Sequence, residues 1–299
     1  MDIQVYLREK REIVDRALEE LFPPLEGLDL GQGYPVSLRR AIRHSLFSGG
    51  KRIRPILSMA AFEAVGGQGD QILPFACGLE MIHTYSLIHD DLPALDNDEY
   101  RRGKLTCHRV FGEAIAILAG DALLTEAFCL MTRDPTQNPG IVLSVVHEVA
   151  KASGVYGMVG GQVADIESEG KEVDFARVEY IHTHKTGALI LASVRAGALL
   201  GQGSEQALKA ISRYGKMVGL AFQIVDDILN IEGKSEIMGK STGSDVKKQK
   251  ATYPAVMGIQ ASKRRAEELV ESAVSALQPF GSEADPLREI ARYIVRRDL

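Results

Sequence analysis

Two pairs of adjacent aspartates carry the strongest chemical signal in this chain. The first lies in residues 83–98, HTYSLIHDDLPALDND, where Asp90, Asp91, Asp96 and Asp98 close an apolar run of helical period. Pro93 removes a helical donor and implies a bend. On a straight helix of about 3.6 residues per turn, Asp90 and Asp96 would face well apart. A bend lets both converge on one cation. Mg²⁺ takes hard oxygen ligands and commonly bridges one or two carboxylates to substrate phosphates. Arg101 and Arg102 follow at once, which suits a ligand both metal-bound and anionic. A solvated acidic helix end is the plainer alternative.

The second pair lies in FQIVDDILN, residues 222–230. Asp226 and Asn230 are four apart and share a helix face, with Asp227 beside them and Gln223 one turn earlier. Flanked by Ile224, Val225, Ile228 and Leu229, two neighbouring carboxylates are costly unless cations occupy the site. Partial exposure at a helix edge is the alternative. Only the fold can bring this pair to the first.

Cationic positions are scattered between and around the acids. GGKRIRP, residues 49–55, offers Lys51 and Arg54 on a backbone that glycine lets approach a ligand. It lacks the spacing and the Lys-Ser/Thr ending of a Walker A loop. Lys185-Thr186-Gly187 sits in a helical pattern, where the glycine implies a kink exposing Lys185. Gly160-Gly161-Gln162 interrupts another helical stretch, with Asp165 a turn later. Residues 239–250 carry Lys240, Asp245 and Lys250 in a loop able to close on an anion. Two acid clusters and several separate cations suit a pair of diphosphate substrates. A nucleotide enzyme fits less well, since no phosphate-binding glycine loop follows a strand and no ribose-binding acid appears.

The elements that must position these groups read as helices. No proline occurs between Pro139 and Pro254, and Leu208, Ile211, Val218, Phe222, Val225 and Leu229 form one stripe of helical period. Ser204 is its expected N-cap and Gly233 its stop. A second helix is expected from near Asp174 through Leu200, and others at 3–21, 37–47, 55–65, 71–92, 112–132 and 141–156. Loops are expected at 23–35, 134–140 and 232–250. Period-two alternation is scarce, so a sheet is not expected. No linker or repeat divides the 299 residues, which read as one all-α domain, 1–299.

Composition excludes other classes. With 45% hydrophobic and 25% charged residues the chain is neither disordered nor membranous. A net charge of −5 gives no general attraction to nucleic acid or to an anionic bilayer. Cys77, Cys107 and Cys129 form neither a disulfide framework nor a metal-ligand spacing, which points to a reducing, cytoplasmic setting. The charged N-terminus has no signal-peptide core, and runs such as 188–194 are too short to span a bilayer, so no stable membrane insertion is expected.

These motifs, together with RRGKLTCH (101–108), FGEAIAILAGDALL (111–124), GMVGGQ (157–162), HKTGALI (184–190) and GKSTGSD…KATYP (239–254), resemble the bacterial farnesyl/geranylgeranyl diphosphate synthases of the trans-polyprenyl diphosphate synthase family. The resemblance covers nearly the whole chain. It implies a bundle of long helices around a deep cavity, usually in a homodimer, joining isopentenyl diphosphate to an allylic diphosphate. Asp90, Asp91, Asp96, Asp226 and Asp227 would hold up to three Mg²⁺ ions on the allylic diphosphate. Lys51, Arg54, His83 and Arg102 would bind isopentenyl diphosphate. Arg101, Lys185, Thr186, Gln223, Lys240 and Lys250 would contact the allylic diphosphate, with Lys185, Thr186, Arg101 and Arg102 assisting departure of pyrophosphate. Tyr85 and Ser86 occupy the chain-length positions. Tyr85, five residues before Asp90 and about 7.5 Å along the axis, could form a floor that stops growth at fifteen carbons. Asn230 departs from the family, whose second motif usually ends in Asp.

Three rival readings stand beside this one. His89-Asp90 in a helical protein suggests an HD-type metal-dependent phosphohydrolase, which would need further histidine ligands. Ser48 to Lys51 and Lys185-Thr186-Gly187 match the S-x-x-K and K-T-G of penicillin-binding proteins, but the helical setting and the missing S-D-N reject that reading. A non-catalytic synthase subunit conflicts with the intact aspartates.

Overall fold

The computed structural model describes residues 1–24, 35–232 and 250–296. Helix α1 (Ile3–Leu21) starts at Asp2, whose carboxylate accepts from the N–H groups of Gln4, at 2.9 Å, and Val5. Then come α2 (Val36–Leu46), α3 (Ile53–Ala64) and α4 (Leu73–Asp90). Pro74 sits in the first turn of α4, where a missing N–H costs nothing. Apolar all round and buried along most of its length, α4 has no solvent face. It is the central helix, and it delivers the first acid cluster at its C-terminus.

Short α5 (Cys107–Phe111) leads into α6 (Glu113–Met131), which lies against α4. Glycine sets that approach: a Cβ on Gly78 would lie 2.6 Å from the Met131 side chain, and one on Gly120 would overlap the His89 ring. Among the described helices α6 alone is long and apolar enough to cross a membrane, with mean hydropathy 1.8. Its inner side packs in the bundle, while Ile117 and Leu118 remain exposed.

Next come α7 (Pro139–Ser153), α8 (Met158–Ser168) and α9 (Phe175–Ile181). A π-helical turn (His182–Gly187) joins α9 directly to α10 (Ala188–Leu200). The expected rod from Asp174 to Leu200 is therefore continuous but underwound at Lys185. Asp174 caps it, accepting from Arg177 N at 2.8 Å. Helix α11 (Glu205–Glu232) is capped as expected by Ser204, whose Oγ accepts from Ala207 N at 3.2 Å. The described chain ends with α12 (Tyr253–Met257), α13 (Ile259–Ala276) and α14 (Asp285–Arg296).

Helix α10 is shared by two sides of the interior. Leu189, Ala192 and Ala196 join the core around α4 and α6, while Ile190, Val194 and Ala198 join that around α3 and α11. Full burial of each larger aliphatic contributes about 1.5–3 kcal/mol. Tyr214 is fully buried, and its hydroxyl donates to Leu287 O at 2.7 Å, tying α11 to α14.

One departure from the expected all-helical pattern matters for the site. Strands β1 (Tyr100–Arg101) and β2 (Lys104–Leu105) form a small antiparallel ribbon. Its turn residues, Arg102 and Gly103, both have positive φ, 53° and 76°. That matches the twist of a two-residue hairpin turn. The three cysteines are free, and burial pushes the Cys77 thiol up to about 12 and the Cys107 thiol to about 11.

Candidate active site

The first acid cluster is folded by the turn that ends α4. Asp96 N donates to Asp90 O at 2.8 Å, and Leu95 N and Asn97 N both donate to Leu92 O. The chain therefore doubles back beyond Pro93 and returns Asp96 to the end of the helix. Asp91 is buried, and both its oxygens accept from Arg101 Nε at 2.8 Å. Asp98 lies 3.7 Å from the same guanidinium. Burial opposes the charge of Arg101, but the bonds and charge of Asp91 outweigh it and hold the guanidinium above its ordinary value. Asp96 accepts from Lys250 Nζ at 3.0 Å.

The second cluster is built differently. Asp227 is buried in α11 and accepts from His182 Nε2 at 2.7 Å, Gln223 Nε2 at 2.9 Å and Tyr253 N at 3.0 Å. Gln223 in turn accepts from Thr186 Oγ1 at 2.8 Å, and Lys185 donates to Asp165 at 2.7 Å. Asp165, Lys185, Thr186, Gln223, Asp227 and Lys250 line one cleft of about 100 Å³.

Glycines place this cleft. A Cβ on Gly219 of α11 would lie 2.9 Å from Gly187 Cα, and one on Gly161 of α8 would overlap the backbone nitrogen of Lys185. The π turn is thus clasped between two helices at backbone distance. The glycine pair expected to break a helix instead lies in the first turn of α8, with Asp165 one turn on.

Lys250 lies between the two clusters. It bonds Asp96 and also borders the cleft of Asp227, while the Arg54 guanidinium feels the charge of Asp226. The basic residues assemble on the α3 side. Arg54 and Arg102 are both held below their ordinary values, first by burial; Glu80 opposes this in each, and arginine repulsion adds to it. His83 is held well below its ordinary value by burial and then by Arg54, Arg102, Arg101 and Arg52, so its imidazole is neutral. Arg102 Nη1 donates to Gly49 O, and its guanidinium fills the space a Cβ on Gly50 would need. Lys51 is exposed nearby, and Lys240 lies outside the described residues.

Sequence reasoning missed two anchors. Arg52, between Lys51 and Arg54, turns inward with φ 51°, and His182 supports Asp227 from the π turn. Tyr85 is 7% exposed and meets His89 edge-on at 5.5 Å. Burial raises its hydroxyl pKa, with Asp90 and Asp121 adding to the effect. Ser86 Oγ donates back to His83 O at 2.8 Å. A hollow of about 540 Å³ is bordered by Leu38, Ile42, Met81, Leu123 and Leu130, with Glu20, Glu126 and Arg133 also in its lining. Met81 is one turn before Tyr85 on the same face of α4.

His89 is committed elsewhere, with Nε2 3.0 Å from Ile117 O and 3.8 Å from Asp121. Among the described residues no three His, Cys, Asp or Glu side chains are drawn together as a ready-made metal-binding group, the two aspartate clusters included. The phosphohydrolase alternative finds no support.

Two groups of acids and several guanidiniums thus lie within one helical bundle, a set of charges suited to a metal-bound diphosphate. The polyprenyl synthetase family model matches residues 35–286. A geranylgeranyl diphosphate synthase of Cyanophora paradoxa is 47% identical over 99% of this chain and 97% of its own length. A farnesyl diphosphate synthase of Geobacillus stearothermophilus is 45% identical over 100% and 99%. A crystal structure of an FPP/GFPP synthase from Zymomonas mobilis superposes with TM-score 0.86 at 35% identity, covering 98% of this chain and 99% of that one. The chain belongs to the polyprenyl synthetase family, and its class is that of short-chain trans-prenyl diphosphate synthases.

Proposed function

We propose that this protein condenses isopentenyl diphosphate with dimethylallyl or geranyl diphosphate and releases mainly the fifteen-carbon farnesyl diphosphate. The carrying observation is Lys250, which bonds Asp96 of one acid cluster while bordering the cleft of the other. An anion entering there meets acids from both sides and cations between them.

The donor set fits magnesium, because Asp90, Asp91, Asp96, Asp226 and Asp227 offer only hard oxygen ligands. Bound Mg²⁺, up to three ions, would neutralise charge on the departing pyrophosphate. The chain's own residues do the rest. Arg101, Lys185, Thr186, Gln223 and Lys250 hold the allylic diphosphate as its ester bond ionises, and Lys240 joins them. Lys185 and Arg101 now rest on Asp165 and Asp91, charges that a diphosphate can replace. Lys51, Arg54, Arg102 and neutral His83 orient isopentenyl diphosphate, so that its double bond attacks the allylic cation. The resulting tertiary cation gives a C2 proton to the released pyrophosphate to restore a double bond. The apolar interior excludes water that would quench that cation. No protein nucleophile is required.

Tyr85 supports a fifteen-carbon limit, being a buried aromatic ring one helical turn from Met81, which borders the hollow. Relatives bear both farnesyl and geranylgeranyl names, so product length is the finer part of the proposal. The partly exposed apolar face of α6 supports a homodimer. Free cysteines support a cytoplasmic setting. The test is incubation of the purified chain with isopentenyl diphosphate plus dimethylallyl or geranyl diphosphate, followed by product chromatography. A fifteen-carbon product is expected. Phosphate release without condensation would overturn the reading, and an inactive folded chain would mark a non-catalytic subunit.

A further inference from the structure

Glu80 is the buried charge that the reaction, as described, does not use. It lies in α4 at 2% exposure, one turn before His83 and on the same face. Its Oε1 accepts from Arg52 Nη1 at 2.7 Å. Arg52 is consumed by such bonds, donating also from Nε to Asp15 Oδ1 at 2.8 Å and from Nη2 to Leu46 O at 2.7 Å. It therefore ties α1, the end of α2 and α4 to the start of α3, with all three guanidinium nitrogens occupied. Lys51 and Arg54 stand on either side of it in the chain. The positive φ of Arg52 is held by this threefold anchorage.

The arginines around Glu80 repel one another. Arg52, Arg54, Arg101 and Arg102 all act on His83, so four guanidiniums share one neighbourhood. Asp91 answers Arg101 and Asp15 answers Arg52, from opposite sides. Glu80 is the anion whose field reaches Arg52, Arg54 and Arg102 together.

We propose that Glu80, which touches no substrate, is the positioning residue of the non-allylic diphosphate site. Through Arg52 it fixes the backbone of residues 49–54, and as a buried counter-charge it keeps Arg54 and Arg102 converged beside His83. The proposal rests on the prenyltransferase reading above and extends it to a residue that acts through others. Without Glu80 the arginines lose their shared counter-charge and Arg52 loses one of its three bonded partners. Removal of Glu80 therefore disorders the cluster while leaving the allylic contacts on α8, α11 and the π turn in place, and Arg101 keeps Asp91 as its own partner.

The test compares wild type with Glu80→Gln, Glu80→Asp and the pair Arg52→Met with Glu80→Leu. The pair removes the anchor and the counter-charge together and replaces them by apolar groups, a change buried ion pairs commonly tolerate. Steady-state kinetics with isopentenyl and geranyl diphosphates give a KM for each, and thermal melting reports folding separately. Glu80→Gln and the pair are expected to raise the isopentenyl diphosphate KM about tenfold or more while the geranyl diphosphate KM stays within about twofold. Glu80→Asp is expected to recover most of the loss. An unchanged isopentenyl diphosphate KM in any folded charge-removing variant, or an equal rise in both KM values, overturns the proposal. Should wild type form no product, the prenyltransferase reading falls first. Calorimetric binding of isopentenyl diphosphate to wild type and the pair then decides the role of Glu80 alone: equal affinity overturns it.

Discussion

The two acid clusters hold similar residues by different means. At the end of α4, Asp91 and Asp96 are held by long cations brought from elsewhere, Arg101 on the ribbon and Lys250 beyond α11. In α11, Asp227 is held by a buried imidazole, a neighbouring amide side chain and a backbone N–H. Ion pairs between flexible side chains can be exchanged for a ligand at little cost. Hydrogen bonds from packed helices and backbone cannot. The first cluster is thus equipped to change partners, while the second provides a fixed wall.

The contrast can be broken by substitution. Asp227→Ala strips the acceptor from three donors and should cost about 2–3 kcal/mol. At about 2–4 °C per kcal/mol for a chain near this size, the melting temperature falls by several degrees. Asp96→Ala removes one partly buried pair rather than an acceptor shared by three donors, and should cost about 1–2 kcal/mol, less than Asp227→Ala. Thermal melts of the two variants test this, and the reverse order would erase the distinction.

The fixed wall also depends on the glycine contact between α8 and the π turn. Gly161→Ala places a methyl on the Lys185 backbone and should destabilise by about 1–3 kcal/mol, measurable by urea unfolding. Activity should fall as Lys185 and Thr186 shift. A stable, fully active variant would show that the π turn has slack.

Away from both clusters, Tyr85→Ala should lengthen the product, since the side chain lies one turn from the 540 Å³ hollow. Chromatography of the products decides it, and an unchanged profile would sink the floor assignment. The smallest effect is expected at Asn230, which is buried on the helix of the second cluster. Asn230→Asp adds a charged oxygen ligand and should lower the Mg²⁺ concentration giving half-maximal rate. An identical titration would remove Asn230 from the metal account.

Much of this was legible in the sequence. The aspartate pairs, the bend at Pro93, the cap at Ser204 and the irregularity at Lys185 follow from local rules, because each depends on near neighbours. The ribbon at Arg101 was not expected, although Arg102-Gly103 between Tyr100 and Leu105 carries a two-residue turn signal; strands of two residues are too short to show alternation. Arg52 and Arg54 are the same residue two positions apart, and only the left-handed backbone at Arg52 turns that one inward. Glu80 and His182 each read as an isolated polar residue in a helix. Their partners, Arg52 and Asp227, are 28 and 45 positions away. Roles of that kind are set by packing.

The central claim, that both acid clusters grip one diphosphate through shared divalent ions, is tested most directly by a binding cycle. Calorimetry would measure a non-hydrolysable allylic thiolodiphosphate with wild type, Asp90→Ala, Asp226→Ala and the double variant, with and without Mg²⁺. The account predicts Mg²⁺-dependent binding that each single substitution weakens by on the order of 10²-fold, with the double variant little worse than either. Binding indifferent to Mg²⁺, or losses that simply add as for two independent sites, would contradict it.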